Sequence, residues 1–309
     1  MKVHYNIDQL PAFENAVITI GTFDGVHIGH RKIIDKLKAE AAAINGETVI
    51  ITFHPHPRKI VSSTILGIRL INTLSEKIEL LRQLGINHVV VVPFTEAFAN
   101  QSAEEYVSKF LVEKFHPHTI IIGHDHRFGK ERTGDYRLLE KMASQNNYQL
   151  QEIPKQVLDE IAISSTIIRQ SLLDGKIEVA EKLLGYEFFF TGMVVHGNKL
   201  GRQLGYPTAN LKIADEEKIV PGNGIYAVYA KVEGSSELLK AMMSIGFRPT
   251  IDGKHRMIEV NIFDFNKEIY DQHLTVYVKK YLREEIKFDG LEALVKQIDQ
   301  DKIDSLDVL

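Results

Sequence analysis

The 309-residue chain predicts two domains of different class, an α/β domain built on a mostly parallel sheet and then a small antiparallel β-barrel with a C-terminal helix. Three patterns carry that expectation. From residue 16 to about 153, short β-branched runs alternate with amphipathic stretches. After Gly185, strand-like runs succeed one another without long helices between them. The chain then closes on a segment with helical periodicity.

In the first half, Ala16 to Ile20, Thr48 to Phe53, His88 to Val92, Thr119 to Gly123 and Tyr148 to Ile153 read as strands. Helix alternating with strand specifies βαβ units, whose ligands sit beyond the carboxyl ends of the strands. The first helix is read from Ile33, Ile34, Leu37, Ala41 and Ile44, which share one face. In the second half the strands are Phe188 to His196, Ile225 to Val232, Ala241 to Gly246, Met257 to Phe263 and His273 to Tyr281. Turn residues punctuate them at Gly197-Asn198, Pro221 to Gly224, Glu233-Gly234 and Asp252-Gly253. A last helix, Leu291 to Ile298, presents Leu291, Leu294, Val295 and Ile298 to the barrel. The boundary is expected near Leu184 to Tyr186, giving domains of residues 1–185 and 186–309.

Composition narrows the function classes. An apolar content of 44% suffices for a core in each half. A net charge of -4 argues against the broad basic surface of a nucleic-acid binder, leaving room only for a local anion pocket. The absence of cysteine excludes disulfides and thiolate metal sites and fits a reducing compartment. No apolar run reaches membrane-spanning length, and Met1 to Phe13 lacks a signal-peptide core. The expectation is a soluble cytoplasmic protein without a membrane partner.

Chemistry concentrates first in Gly21-Thr22-Phe23-Asp24-Gly25-Val26-His27-Ile28-Gly29-His30, between a strand and a helix. Glycines allow close backbone approach to a ligand, and the amides and dipole of a helix start favour an anion. Two imidazoles add donors beside it. Three further segments lie at or beyond strand ends: Phe53-His54-Pro55-His56-Pro57, Gly123-His124-Asp125-His126-Arg127-Phe128-Gly129, and Ile163-Ser164-Ser165-Thr166-Ile167-Ile168-Arg169. The prolines of the first explain a rigid loop as well as they explain ligand contact by His56. The last is expected to open a helix, where hydroxyls, free amides and Arg169 would together hold phosphates. In the second half, Gly192 to Asn210 carries Gly197, Lys199, Gly201 and Gly205 and ends in Pro207-Thr208-Ala209-Asn210. Glu259 lies on a strand, where a solvent-facing charge is the simplest account of it.

His27-x-Gly29-His30 resembles the signature of the nucleotidyltransferase superfamily. The wider run Gly-Thr-Phe-Asp-Gly-Val-His-x-Gly-His is similar to the bacterial bifunctional riboflavin kinase/FAD synthetase family. So are Ile-Ser-Ser-Thr-x-Ile-Arg, the long glycine-rich run with Pro-Thr-Ala-Asn, and Glu259 before Asp264-Phe265. This resemblance implies a Rossmann-like nucleotidyltransferase domain that adenylylates FMN with ATP to give FAD and pyrophosphate. It also implies a barrel that phosphorylates riboflavin to FMN. By the same resemblance His27 and His30 are catalytic, and Gly21, Phe23, Asp24, Gly25, Gly29, Ser164, Ser165, Thr166 and Arg169 hold ATP. In the barrel Gly197, Lys199 and Gly201 fold over a second ATP, Thr208 and Asn210 supply oxygens near Mg²⁺, and Glu259 is the general base. Flavin contacts are implied for His56, Asp125 and Phe128, and for Arg283 and Glu285 in an Arg-x-Glu-x-x-Phe pattern that a charged surface joined to a core Phe288 explains equally well. Departures are His126 for an aromatic, Val260-Asn261 for Thr-His and Ser244 for Asn.

Overall fold

The β-branched runs of the first half pair in register as a parallel sheet in a computed structural model that describes residues 1–61, 69–123, 126–197, 200–250 and 253–309. Its strands are β1 (Lys2–His4), β2 (Val17–Ile20), β3 (Thr48–His54), β4 (His88–Pro93), β5 (Thr119–Gly123) and β6 (Gln149–Ile153). They run in the order β1-β4-β3-β2-β5-β6, every pair parallel. All residues of β2 and β5 are buried, as in strands covered on both faces. Alternate positions Ile18, Ile20, Val49, Ile51, Val90, Val92, Ile120 and Ile122 join Phe110, Leu111 and Phe115 in one core. Sequential strands step one way from β2 through β3 and β4, whereas β5 lies on the other side of β2. The order therefore reverses at β2, and the segments after Ile20 and Gly123 flank the switch point where ligands of such sheets bind.

Two helices position the site. α1 (Ile28–Ala43) packs on β2 and β3 through the expected apolar face, with Ile33, Ile34, Leu37 and Ala41 buried. α2 (Leu74–Gln83) opens on a capping box in which Thr73 Oγ1 accepts from the Glu76 amide and the Glu76 carboxylate accepts from the Thr73 amide.

The chain divides into two compact units, Met1–Ser165 and Thr166–Leu309, and the division falls inside α3 (Lys155–Leu173). In the second unit β7 (Phe189–Val195), β8 (Ala209–Lys212), β9 (Gly224–Val232), β10 (Leu239–Thr250), β11 (Gly253–Ile262) and β12 (His273–Arg283) close into an antiparallel barrel. Their order is β10-β11-β8-β7-β12-β9. α4 (Ile177–Leu184) packs on β12, and the Gly222 amide donates to Leu172 O at 3.0 Å, so residues 166–184 line the outside of this barrel. α5 (Leu291–Val308) lies against β9, β10 and β12.

Three expectations change. Ser164 to Thr166 do not open a helix: α3 begins at Lys155, directly after Pro154 ends β6, so the hydroxyl motif lies well inside it and its amides serve the helix ladder. The C-terminal helix continues ten residues beyond Ile298, because Asp301 and Ser305 extend its inner face as buried polar residues. Strands β1 and β8 escape a reading by apolar alternation because they are too short to show a period.

Candidate functional site

In the first unit the site is built on a turn of unusual backbone. Phe23 and Val26 have φ of 48° and 38°, left-handed values that cost a non-glycine residue about 1–3 kcal/mol each. Gly25, at φ 87°, has no room for a side chain, since a Cβ would lie 2.9 Å from Ile71 Cδ1. The turn delivers His27 to the N-cap of α1, where the amides of its first turn point into the crevice. One helical turn on, His30 stacks on His27 with ring centroids 4.0 Å apart. Both rings are buried, and His30 Nδ1 has no hydrogen-bond partner. Burial, with His27 and Lys77 nearby, holds His30 well below the ordinary histidine range.

From the far end of the unit, α3 brings Ser165 Oγ within 2.9 Å of His27 Nε2, so two motifs 138 residues apart share a hydrogen bond. Gly29 makes this approach possible: a Cβ there would lie 2.8 Å from Ile161 Cγ1. Ser164 is buried on the same helix, and Thr166 and Arg169 follow along it. Asp24 is also buried, and its Oδ1 accepts from the Ile71 and Asn72 amides at 2.9 and 3.3 Å, which ties the turn to the segment before α2.

The expected flavin residues of this unit lie on separate segments of the chain. His56 lies between β3 and a short helix, after a cis His54–Pro55 peptide. Asp125 lies outside the described residues. Phe128 is a core residue, stacked on Tyr106 at 4.7 Å and pinned by a two-way backbone pairing with Gly134. Its ring anchors the segment around Phe128 to the core.

The barrel site follows from strand register. Glu259 on β11 pairs across with Ser244 on β10 and Asn210 on β8, and residues directly opposite in an antiparallel ladder point to the same face. One row therefore carries Ser244, Glu259 and Asn210. Beside it a cavity of about 250 Å³ is lined by Glu259, Ser244, Thr208, Arg283, Glu285 and Phe288, with apolar walls from Met242, Leu294 and Ile298. Thr208 also lines a second, smaller cavity with Arg202, Lys267 and Tyr270. Gly201 borders the larger cavity, and Gly197 must be glycine because a Cβ would sit 2.3 Å from Asn210 Nδ2. Lys199 lies outside the described residues. Arg283 makes a two-pronged ion pair with the buried Asp301, at 2.7 and 2.6 Å, that docks α5 on the barrel. Glu285 lies over Gly246, which leaves no space for a Cβ.

Lys77 and Thr52 escaped the motif reading, and two motif residues take structural contacts. Lys77 and Thr52 lie behind the histidine turn, Asn261 donates through Nδ2 to Pro207 O at 2.7 Å, and Tyr206 OH donates to Asp299. Burial, and secondarily Asp299, push the Tyr206 phenol up to about 12. One signal was available for Lys77 and for Asp301. Lys77 lies in the apolar stripe Leu74, Ile78, Leu81, and Asp301 in the stripe Leu294, Ile298, Ser305. A charge on the inner face of a helix needs a partner.

A family model described as FAD synthetase matches residues 10–167, and one described as riboflavin kinase matches residues 184–309. Curated relatives bearing the description bifunctional riboflavin kinase/FMN adenylyltransferase include one from Buchnera aphidicola subsp. Schizaphis graminum. It is 38% identical over 97% of this chain and 96% of its own length. The Listeria monocytogenes protein is 36% identical over 94% and 91%, and the Escherichia coli K12 protein 35% identical over 97% and 94%. A crystal structure described as a macrolide-efflux protein from Streptococcus pneumoniae has a TM-score of 0.82 and 30% identity, covering 97% of both chains. No helix among the described residues is long and apolar enough to cross a membrane.

Proposed function

We propose that this chain, which belongs to the family of bifunctional riboflavin kinase/FMN adenylyltransferases, makes FMN from riboflavin in its barrel and FAD from FMN in its α/β domain. The observation that carries the reading is the barrel cavity, which gathers Thr208, Glu259, Arg283, Glu285 and Phe288 from separate strands and loops. In the kinase step Glu259 takes the proton of the riboflavin 5′-hydroxyl as that oxygen attacks the γ-phosphorus of ATP, and ADP departs. The apolar walls suit the isoalloxazine ring, and the smaller cavity with Arg202 and Lys267 suits the nucleotide, so Thr208 stands where the two substrates meet. Arg283 acts by holding α5, which forms one wall of the flavin cavity.

Mg²⁺ fits this donor set. Thr208 and Asn210 offer neutral oxygens, and among the described residues no cluster of His, Cys, Asp or Glu could hold a metal by itself. Such a pairing suits a cation that keeps most of its ligands as phosphate and water. When bound, Mg²⁺ would screen the triphosphate charge.

In the adenylyl transfer an FMN phosphate oxygen attacks the α-phosphorus of ATP and pyrophosphate leaves. No protein nucleophile is needed. His27 and His30 donate to the phosphorus oxygens as charge develops, while the α1 amides and Ser165 orient the phosphates. Asp24 contributes by fixing the turn, and Phe128 by fixing the loop after β5. The functional halves are residues 1–185 and 186–309, in a cytoplasmic enzyme whose partners are flavins and ATP. Incubation with riboflavin, ATP and Mg²⁺ tests the whole reading. FMN followed by FAD supports it. FMN alone or no product removes one or both activities.

A further inference from the structure

The segment behind the histidine turn holds a lysine where a lysine is costly. Lys77, in the first turns of α2, is 7% exposed, and its ammonium reaches the carboxyl ends of β2 and β3. It donates to Thr22 O at 2.7 Å and to Thr52 Oγ1 at 3.3 Å, and Thr52 Oγ1 in turn donates to Thr22 O at 3.2 Å. Thr22 is the residue before the left-handed Phe23, so this small network grips the turn at its entry. Asp24 grips it two residues later through the Ile71 and Asn72 amides, five to six residues before Lys77. An apolar residue at 77 would serve packing at less cost, because a buried ammonium must recover its lost hydration.

We propose that Lys77 is a positioning residue of the adenylyl transfer, its ammonium locking the Thr22 carbonyl so that the strained turn presents His27 and His30 to the α-phosphate. The inference rests on the adenylyltransferase reading above. The charged and titratable groups around the ammonium are Asp24, which it attracts, and His30 with its stacked partner His27. Burial outweighs Asp24 and brings the Lys77 ammonium down to about 8. Above that pH the amine is neutral, the grip on Thr22 O weakens, and the charge that helps keep His30 unprotonated disappears.

The test measures FAD formation from FMN and ATP against pH in the intact chain, with riboflavin phosphorylation in the same preparation as a control. Wild type is expected to show an alkaline limb near pH 8. K77M should lower turnover for FAD formation on the order of 10- to 100-fold with a much smaller change in KM, as misplacement of reacting groups does. Riboflavin phosphorylation should stay unchanged. K77R should move the alkaline limb upward. T52V, which deprives the ammonium of an acceptor at nearly constant volume, should move it downward. A limb that stays in place in whichever of K77R and T52V folds, or a folded K77M with normal turnover, overturns the proposal. If wild type forms no FAD at any pH, the adenylyltransferase reading itself fails, a result distinct from either.

Discussion

The two units solve the same problem, holding a nucleoside triphosphate beside a flavin, with opposite means. In the α/β unit the candidate groups, His27 and His30, follow a turn whose backbone is left-handed at Phe23, Gly25 and Val26, and distant segments brace it. In the barrel the candidate base Glu259 sits in one row of a ladder, where β-sheet register alone puts it on a common face with Ser244 and Asn210. A braced turn fails when any brace is lost. A ladder row is held by register, and side chains beside it are free to take supporting roles. Asn261 shows how: it points its amide to Pro207 O and steadies the Pro207-Thr208 corner.

The largest expected effect isolates the barrel. Glu259→Gln should lower riboflavin phosphorylation by about 10²- to 10⁴-fold through loss of the base, with flavin affinity and FAD formation from supplied FMN unaffected. Stopped assays of each half-reaction separate these outcomes. Near-normal kinase turnover would reduce Glu259 to a strand-surface charge.

Replacing His27 or His30 by Ala should cost about 10²- to 10³-fold in FAD formation, the range for one oxyanion-type donor, while phosphorylation persists. A parallel fall in both activities of a folded variant would break the separation of the two sites.

Third is Asp301→Asn, which leaves Arg283 facing an uncharged partner. Removing one member of a buried pair destabilises by about 3 kcal/mol, so the melting transition of the barrel should fall while that of the α/β unit stays put. Calorimetry resolves the two. The domain boundary sharpens the same point. Residues 166–184 cover the outside of the barrel, so a fragment 166–309 should be more stable to urea than 186–309, and equal midpoints would show that they add nothing to the barrel's stability.

The smallest effect concerns pH. Because burial lowers His30 in the folded state, the unfolded chain binds its proton more readily, and stability is lost as pH falls from the ordinary histidine value of 6.5 toward the lower folded value. His30→Gln should flatten that part of the stability profile of the α/β unit. An unchanged acid limb in urea titrations would show that His30 carries none of it.

The sequence by itself determined the fold class of both halves, since helical and strand periods are local and survive without tertiary information. It also marked His27, His30, Thr208 and Glu259, because glycine-rich turns and Pro-Thr-Ala-Asn have little role in a bare framework. Only the tertiary structure decided which motif residues line a cavity and which are tied to neighbouring segments. Asp24, Phe128 and Arg283 look like site residues in the chain, and the structure adds partners for each, backbone amides, Tyr106 and Asp301, while Arg283 also lines the barrel cavity. Ser165 looks like a helix cap, yet it reaches His27 from the interior of α3. The reason is physical. Periodicity and turn chemistry act between residues a few positions apart, whereas partners such as Lys77 and Thr22, or Glu259 and Asn210, are set by how whole strands and helices register in space.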